Sequence, residues 1–258
     1  MATFVLVPGY WLGGWAWDEV AGVLRAAGHT VHAVTLTGLA ERAAEAGPGV
    51  DVDTHVGDLT ALIEGGDLRE VVLVAHSGAN MAVTGAADRL AGRVARVVYV
   101  DSGPLPSGMA GIDFHDPAER AALEKRVADE GEGWRIPVPP FDPDADPGNL
   151  AGLDAERLAQ MRERGTPQPF ATATQPLLRP DPLPSTPRTL IASTIPLAAV
   201  EQMAAAGNPV FSLMAGPEWT HRDLPTGHWP MFSRPRELAA LLAEAAGDPM
   251  GREAVREV

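Results

Sequence analysis

The chain has 258 residues, 45% of them hydrophobic, no cysteine and a formal net charge of -14. That length supplies the core of one sizeable α/β domain, or of a domain with an insertion. The charge repels nucleic acid and anionic membranes, so neither is an expected partner, and the missing cysteine excludes disulfides, thiolate metal sites and a cysteine nucleophile.

Thr3 to Val7 is an apolar run that ends at Pro8-Gly9 and has no basic residues before it. It reads as a buried first strand, not as a signal peptide. No apolar run reaches the length of a membrane span, so a soluble, cytoplasmic protein is expected. Pro8 to Gly14 is a loop rich in residues that permit unusual backbone angles. Val20, Val23, Leu24 and Ala27 recur at helical spacing between Trp15 and Ala27, and Gly28 is placed to end that helix. Thr30 to Leu36 reads as the second strand and Thr37 to Asp53 as loop. Val56, Leu59, Leu62 and Ile63 mark a second helix, stopped by Gly65-Gly66.

Val71 to Ala75 is a continuous apolar, mostly β-branched run, the pattern of a parallel strand covered on both faces. It leads straight into His76-Ser77-Gly78, and the residues that follow read as a helix start. A serine between small residues at a sharp strand-to-helix turn projects its hydroxyl above the sheet, as in the nucleophile elbow Gly-x-Ser-x-Gly. Here the elbow reads Ala75-His76-Ser77-Gly78-Ala79, with alanine at both flanking glycine positions. A serine that merely caps the helix is the competing reading. A fourth strand is predicted from Arg93 to Asp101.

The rhythm of strand and helix breaks at Ser102. Residues 102–188 hold fifteen of the 24 prolines. Two short amphipathic helices are predicted there, near Pro117 to Glu130 and Asp154 to Arg164. A structureless loop this long is improbable in a compact domain, so 102–188 reads as an inserted cap. The apolar faces of the two helices argue against a disordered linker. Residues 1–101 and 189–258 then form the core. The rhythm resumes with a strand at Thr189 to Ser193, a helix around Leu197 to Ala206 and a last strand near Trp219 to Leu224. Pro225 to Pro230, which contains Gly227-His228, precedes a final helix opened by Ser233 and Pro235. Gly247 to Val258 is polar and is expected to fray. Strands alternating with helices predict a parallel, doubly wound sheet with helices on both faces.

These residues resemble the α/β-hydrolase superfamily over about the first hundred and last seventy positions. The start, Phe4 to Trp17 with Ala26-Ala27-Gly28-His29, is similar to the branch that holds plant hydroxynitrile lyases and methylesterases. The cap carries no such resemblance. The superfamily implies that the first and third strands are neighbours, so the Pro8-Gly9 loop and the Ser77 elbow share one cleft at a topological switch point.

The resemblance also implies roles. Ser77 is the expected nucleophile and His228, between the last strand and the last helix, the expected base; the order Ser, acid, His is respected. His76 is read as a packed structural residue. The related branch places its acid after the penultimate strand, where this chain has Ser193-Thr194-Ile195-Pro196 and no carboxylate before Glu201. A second solution in the superfamily puts the acid at the end of the strand after the elbow helix, and here that residue is Asp101. Asp101 is the first candidate, with Glu201 and Glu218 behind it. The oxyanion hole maps onto the backbone N–H groups of Tyr10 and Gly78, with Pro8 in place of the usual histidine. Trp11, Trp229, Met231, Phe232, Trp134 and Phe141 either line an apolar pocket or pack as ordinary core.

The implied activity is that of a serine hydrolase on an apolar ester or lactone, a small-molecule substrate, through an acyl-enzyme. The alternatives are a non-hydrolytic catalyst on the same scaffold and a non-catalytic ligand receptor. Hydroxynitrile lyases add a threonine and a lysine at the positions of Gly9 and Trp229, which disfavours cyanohydrin cleavage. No dinucleotide or metal motif is present, so no cofactor is expected, and no residue pattern specifies an oligomeric state.

Overall fold

A computed structural model describes residues 1–247. The expected fraying of the tail after Gly247 lies outside the described residues. Strands β1 (Thr3–Val7), β2 (Thr30–Ala33), β3 (Val71–His76) and β4 (Val94–Val100) belong to the first half of the chain. Helices α1 (Asp18–Ala26), α2 (Val52–Gly65) and α3 (Asn80–Arg89) alternate with them. The segment from 102 to 188 holds α4 (Pro117–Glu130), β5 (Arg135–Ile136), α5 (Ala155–Arg164), β6 (Gln168–Pro169) and α6 (Ala171–Thr174). β7 (Arg188–Ala192), α7 (Leu197–Ala205), β8 (Trp219–Asp223), α8 (Pro230–Ser233) and α9 (Pro235–Ala245) follow.

The main sheet runs β2-β1-β3-β4-β7-β8 with every pairing parallel. Its strands alternate between two covered faces. Val5, Val7, Leu73, Ala75, Val97 and Tyr99 pack under α2 and α3, against Val56, Leu59, Ile63 and Val83. Phe4, Leu6, Val72, Val74, Val98 and Val100 pack on the other face, against Val20 and Leu24 of α1 and Leu238 and Leu242 of α9. Each Val, Leu, Ile or Phe side chain among them, fully buried, contributes about 1.5–3 kcal/mol. The sheet order reverses between β1 and β3, so the loops after these two strands open onto a common crevice.

Local chemistry explains most boundaries. Asp51 caps α2 by accepting the Thr54 amide at 2.9 Å, and Gly28, at φ +86, closes α1 in a left-handed turn. Asp116 and Asp154 cap α4 and α5, which fall where helical spacing places them. β2 stops earlier than its sequence suggests. After Val34 the chain uses its threonines for loop contacts: Thr35 Oγ1 accepts the Gly14 amide at 2.8 Å, and Thr37 donates its amide and hydroxyl to Asp58. The last helical stretch is broken in two at Arg234 (φ -141), between α8 and α9.

Segment 102–188 lies against the loops at the carboxyl ends of the strands. Thr166 donates its amide to the Trp11 carbonyl at 2.9 Å, and the Asn149 carbonyl accepts the His228 amide at 2.7 Å. A buried bidentate pair, Arg179 with Asp88 at 2.7 and 3.0 Å, ties the segment to α3. Among the described residues no helix is long and apolar enough to cross a membrane.

Candidate active site

β3 ends at His76, and Ser77 takes φ +49, a left-handed angle that costs a non-glycine residue on the order of 1–3 kcal/mol. A single 3-10 turn, Ser77–Ala79, then feeds α3. Two close approaches demand glycine. A methyl group on Gly9 would lie 2.9 Å from both Ser77 Cβ and His76 Nδ1, and one on Gly78 would overlap the Tyr10 ring. Small size is thus needed at Gly9 and Gly78, while Ala75 and Ala79 fit as buried residues at the two outer elbow positions.

The structure brings Ser77, His228 and Asp101 into one hydrogen-bonded chain. Ser77 Oγ lies 2.7 Å from His228 Nε2, and His228 Nδ1 lies 2.6 Å from Asp101 Oδ2. The carboxylate can only accept from Nδ1–H, which leaves Nε2 to accept from the serine hydroxyl. Asp101 sits just past β4 at φ +47, a second strained strand end, and its side chain is 4% exposed. Its other contacts come from the loop after β7. Oδ1 accepts the amides of Ser193 (3.0 Å) and Thr194 (2.8 Å), and Oδ2 accepts the Thr194 hydroxyl (2.7 Å). Burial pushes the Asp101 carboxyl up, but the bonds from His228 and Thr194 outweigh it and hold the group down at about 2.

The other acid candidates are elsewhere. Glu201 is exposed on α7, and Glu218 pairs with Arg188 at 3.3 Å, at the amino end of β7. The sequence around Ser193-Thr194 carries no motif that marks these residues as donors. Their signal was the missing carboxylate itself, a pair of hydrogen-bond donors facing a strand-end aspartate. His76 is fully buried, as a packed residue should be, but it also accepts the Gly9 amide and bonds the His228 carbonyl.

Tyr10 follows Gly9 in the loop after β1. Among the described residues its amide N–H has no hydrogen-bond acceptor. Burial pushes its phenol up to about 12, so the ring packed over Gly78 stays neutral. A cavity of about 730 Å³ opens on Ser77, His228 and these two residues. Trp11, Phe141 and Trp229 form an edge-to-face aromatic wall, with ring centroids 6.2 and 5.5 Å apart. Leu105, Phe211 and Met214 contribute a further apolar side. Met231 and Phe232 pack in the core, and Trp134 stacks under the Arg135 guanidinium, so these three do not line the cavity. A smaller cavity of about 330 Å³, at the amino end of the sheet beside Arg96, has no serine or histidine among the described residues that line it. No group of three or more potential metal ligands occurs among the described residues.

A parallel sheet in this order, with a serine on a strained turn after its third strand and a histidine after its last, defines an α/β hydrolase. The model of the Alpha/beta hydrolase family matches residues 4–241, and the chain belongs to that family. It is 32% identical over 257 residues to a carbendazim hydrolyzing esterase from Nocardioides sp., covering 94% of this chain and 99% of that protein. It is 26% identical to methyl jasmonate esterase 1 from Vitis vinifera, over 93% of this chain and 95% of that one. Among solved structures, an extracellular alpha/beta-hydrolase from a Paenibacillus species superposes with a TM-score of 0.76 at 20% identity, over 95% of this chain and 99% of the other.

Proposed function

We propose that this protein is a serine-dependent carboxylic ester hydrolase acting on small apolar esters or lactones. The observation that carries the reading is the Ser77–His228–Asp101 chain, 2.7 and 2.6 Å at its two links, opening into a largely apolar cavity. Ser77 Oγ attacks the substrate carbonyl while His228 Nε2 takes its proton. Asp101 keeps the imidazole in the tautomer that leaves Nε2 free, and stabilises the imidazolium that forms. The amides of Tyr10 and Gly78 receive the oxyanion, a donor pair of which each member is worth about 10²–10³ in kcat. His228 then protonates the leaving alcohol, and water, activated by the same histidine, releases the acid from the acyl-enzyme.

The printed names of two relatives, a carbendazim hydrolyzing esterase and a methyl jasmonate esterase, support ester cleavage on small molecules. Lyase chemistry has less support. Gly9 has no room for a side chain, and Trp229 stands where the lyases carry their lysine. In this reading segment 102–188 is a cap whose Ile112 and Phe141 close the cavity. The net charge of -14 supports a protein that works free of nucleic acid and membrane, and we infer a cytoplasmic location.

A series of p-nitrophenyl esters of graded chain length tests the proposal. Turnover is expected to peak at a chain length set by the cavity. A fluorophosphonate should label Ser77 alone, and Ser77→Ala should lose roughly 10⁶-fold in kcat while keeping its fold. Labelling at another residue, or retained turnover in Ser77→Ala, rules the reading out.

A further inference from the structure

We propose that His76 is a positioning residue that clasps the loop after β1 to the loop carrying His228, across the back of the nucleophile. The proposal rests on the hydrolase reading above for what is positioned, and on geometry of its own for how.

His76 closes β3 immediately before Ser77 and is fully buried. Its Nδ1 lies 3.2 Å from the Gly9 amide and its Nε2 lies 2.6 Å from the His228 carbonyl. An amide N–H can only donate and a carbonyl can only accept, so these two partners allow one tautomer, with the proton on Nε2. One ring therefore fixes two segments that are 67 and 152 residues away in sequence. Gly9 can come this close only because it has no side chain. The charged or titratable groups facing the ring are His228, 4.9 Å away between centroids, and Asp101 beyond it. Burial first, and His228 second, hold the imidazole of His76 down at about 3, so it stays neutral while His228 cycles through its charged form.

The clasp acts on both halves of the reaction centre. The His228 amide donates to the Asn149 carbonyl at 2.7 Å, so with His76 on its own carbonyl the residue is held on both sides of its Cα. That sets where Nε2 meets Ser77 Oγ. On the other half, tying down the Gly9 amide sets the peptide that precedes the Tyr10 amide. A displacement of 1 Å in such a constellation costs about 10²-fold in rate.

The test uses the intact protein. In ¹⁵N-detected imidazole spectra of the wild type from pH 5 to pH 8, His76 should show a protonated Nε2, a bare Nδ1 and no titration. A proton on Nδ1, or titration within that range, would overturn the clasp. In parallel, His76→Leu removes both bonds, and His76→Gln retains an acceptor and a donor about as far apart as the ring nitrogens. His76→Leu should lose about 10²-fold in kcat with KM changed less than about threefold, and His76→Gln should recover at least about tenfold of that loss. Equal activity in the two variants, or wild-type kcat in His76→Leu, defeats the proposal. If His76→Leu does not fold, the spectra and the kcat of His76→Gln, expected within about tenfold of wild type, carry the decision. Fluorophosphonate labelling of wild-type Ser77 separates the two readings: its absence removes the hydrolase assignment and leaves the tautomer result standing.

Discussion

Asp101 holds its carboxylate in a strained backbone position, with donors on both oxygens. Asp101→Asn keeps the shape but permits the wrong imidazole tautomer, so kcat should fall about 10⁴-fold with KM little changed. Glu201→Gln and Glu218→Gln should stay near wild type, and a loss there comparable to Asp101→Asn would reassign the acid. Thr194 gives a finer reading of the same site. Thr194→Val removes the hydroxyl from Oδ2, the oxygen that also holds His228. With fewer donors the carboxylate keeps more charge for the imidazolium and favours it. The acid limb of kcat/KM should then move to higher pH, while Thr194→Ser leaves it in place. A limb that stays put or moves lower in Thr194→Val contradicts this sign. The sequence makes Ser77 and His228 stand out because each lies in a short motif whose neighbours dictate the turn. Thr194 does not stand out, because a threonine becomes a donor to an aspartate 93 residues away only once β4 and β7 are paired.

The strands are the most legible elements. A run such as Val71 to Ala75, buried on both faces, has no other stable place than a central parallel position. The helices of segment 102–188 are legible too, because Asp116-Pro117 and Asp154 mark their starts. Illegible from sequence is how that proline-rich segment is fastened down. Its fastening includes Arg179, an arginine between Leu178 and Pro180 in a proline-rich stretch, whose side chain lies 3% exposed against that of Asp88 at 7%. Removing one member leaves a buried, unpaired charge, at a cost of about 3–5 kcal/mol. For a domain of this size Arg179→Ala should lower the Tm by roughly 6–20 °C. Replacing both members by apolar residues, Arg179→Met with Asp88→Leu, should recover most of the loss, because no lone charge remains. Thermal melts of the three proteins check this, and a single variant that melts with the wild type would show that the pair carries no stability.

Across the whole molecule two opposing electrostatic effects meet as pH falls. The net charge of -14 makes the folded chain repel itself, and protonating its carboxylates relieves that repulsion. Working against this relief, His76 and His55 are buried in their neutral forms, both pushed below the ordinary value near 6.5, chiefly by burial. The unfolded chain binds protons at both imidazoles below pH 6.5, and the folded chain does not until about pH 3 in the case of His76. Unfolded protein thus binds more protons in that window, so stability rises with pH there and is lost on acidification. Asp101 acts in the same direction lower down, between its ordinary value of 3.8 and about 2. For His76 this contribution approaches about 1.4 kcal/mol per pH unit, or about 2 kcal/mol by pH 5, and His55 adds to it in the same direction. A single stability curve mixes this with the charge relief, but a comparison with His76→Gln cancels the general term, since glutamine does not titrate. In urea unfolding, the destabilisation of His76→Gln relative to wild type should therefore shrink by about 2 kcal/mol between pH 8 and pH 5. Curves for the two proteins that run parallel from pH 8 to pH 5 would mean that His76 takes up a proton without unfolding, and that its ring is not held between the Gly9 amide and the His228 carbonyl.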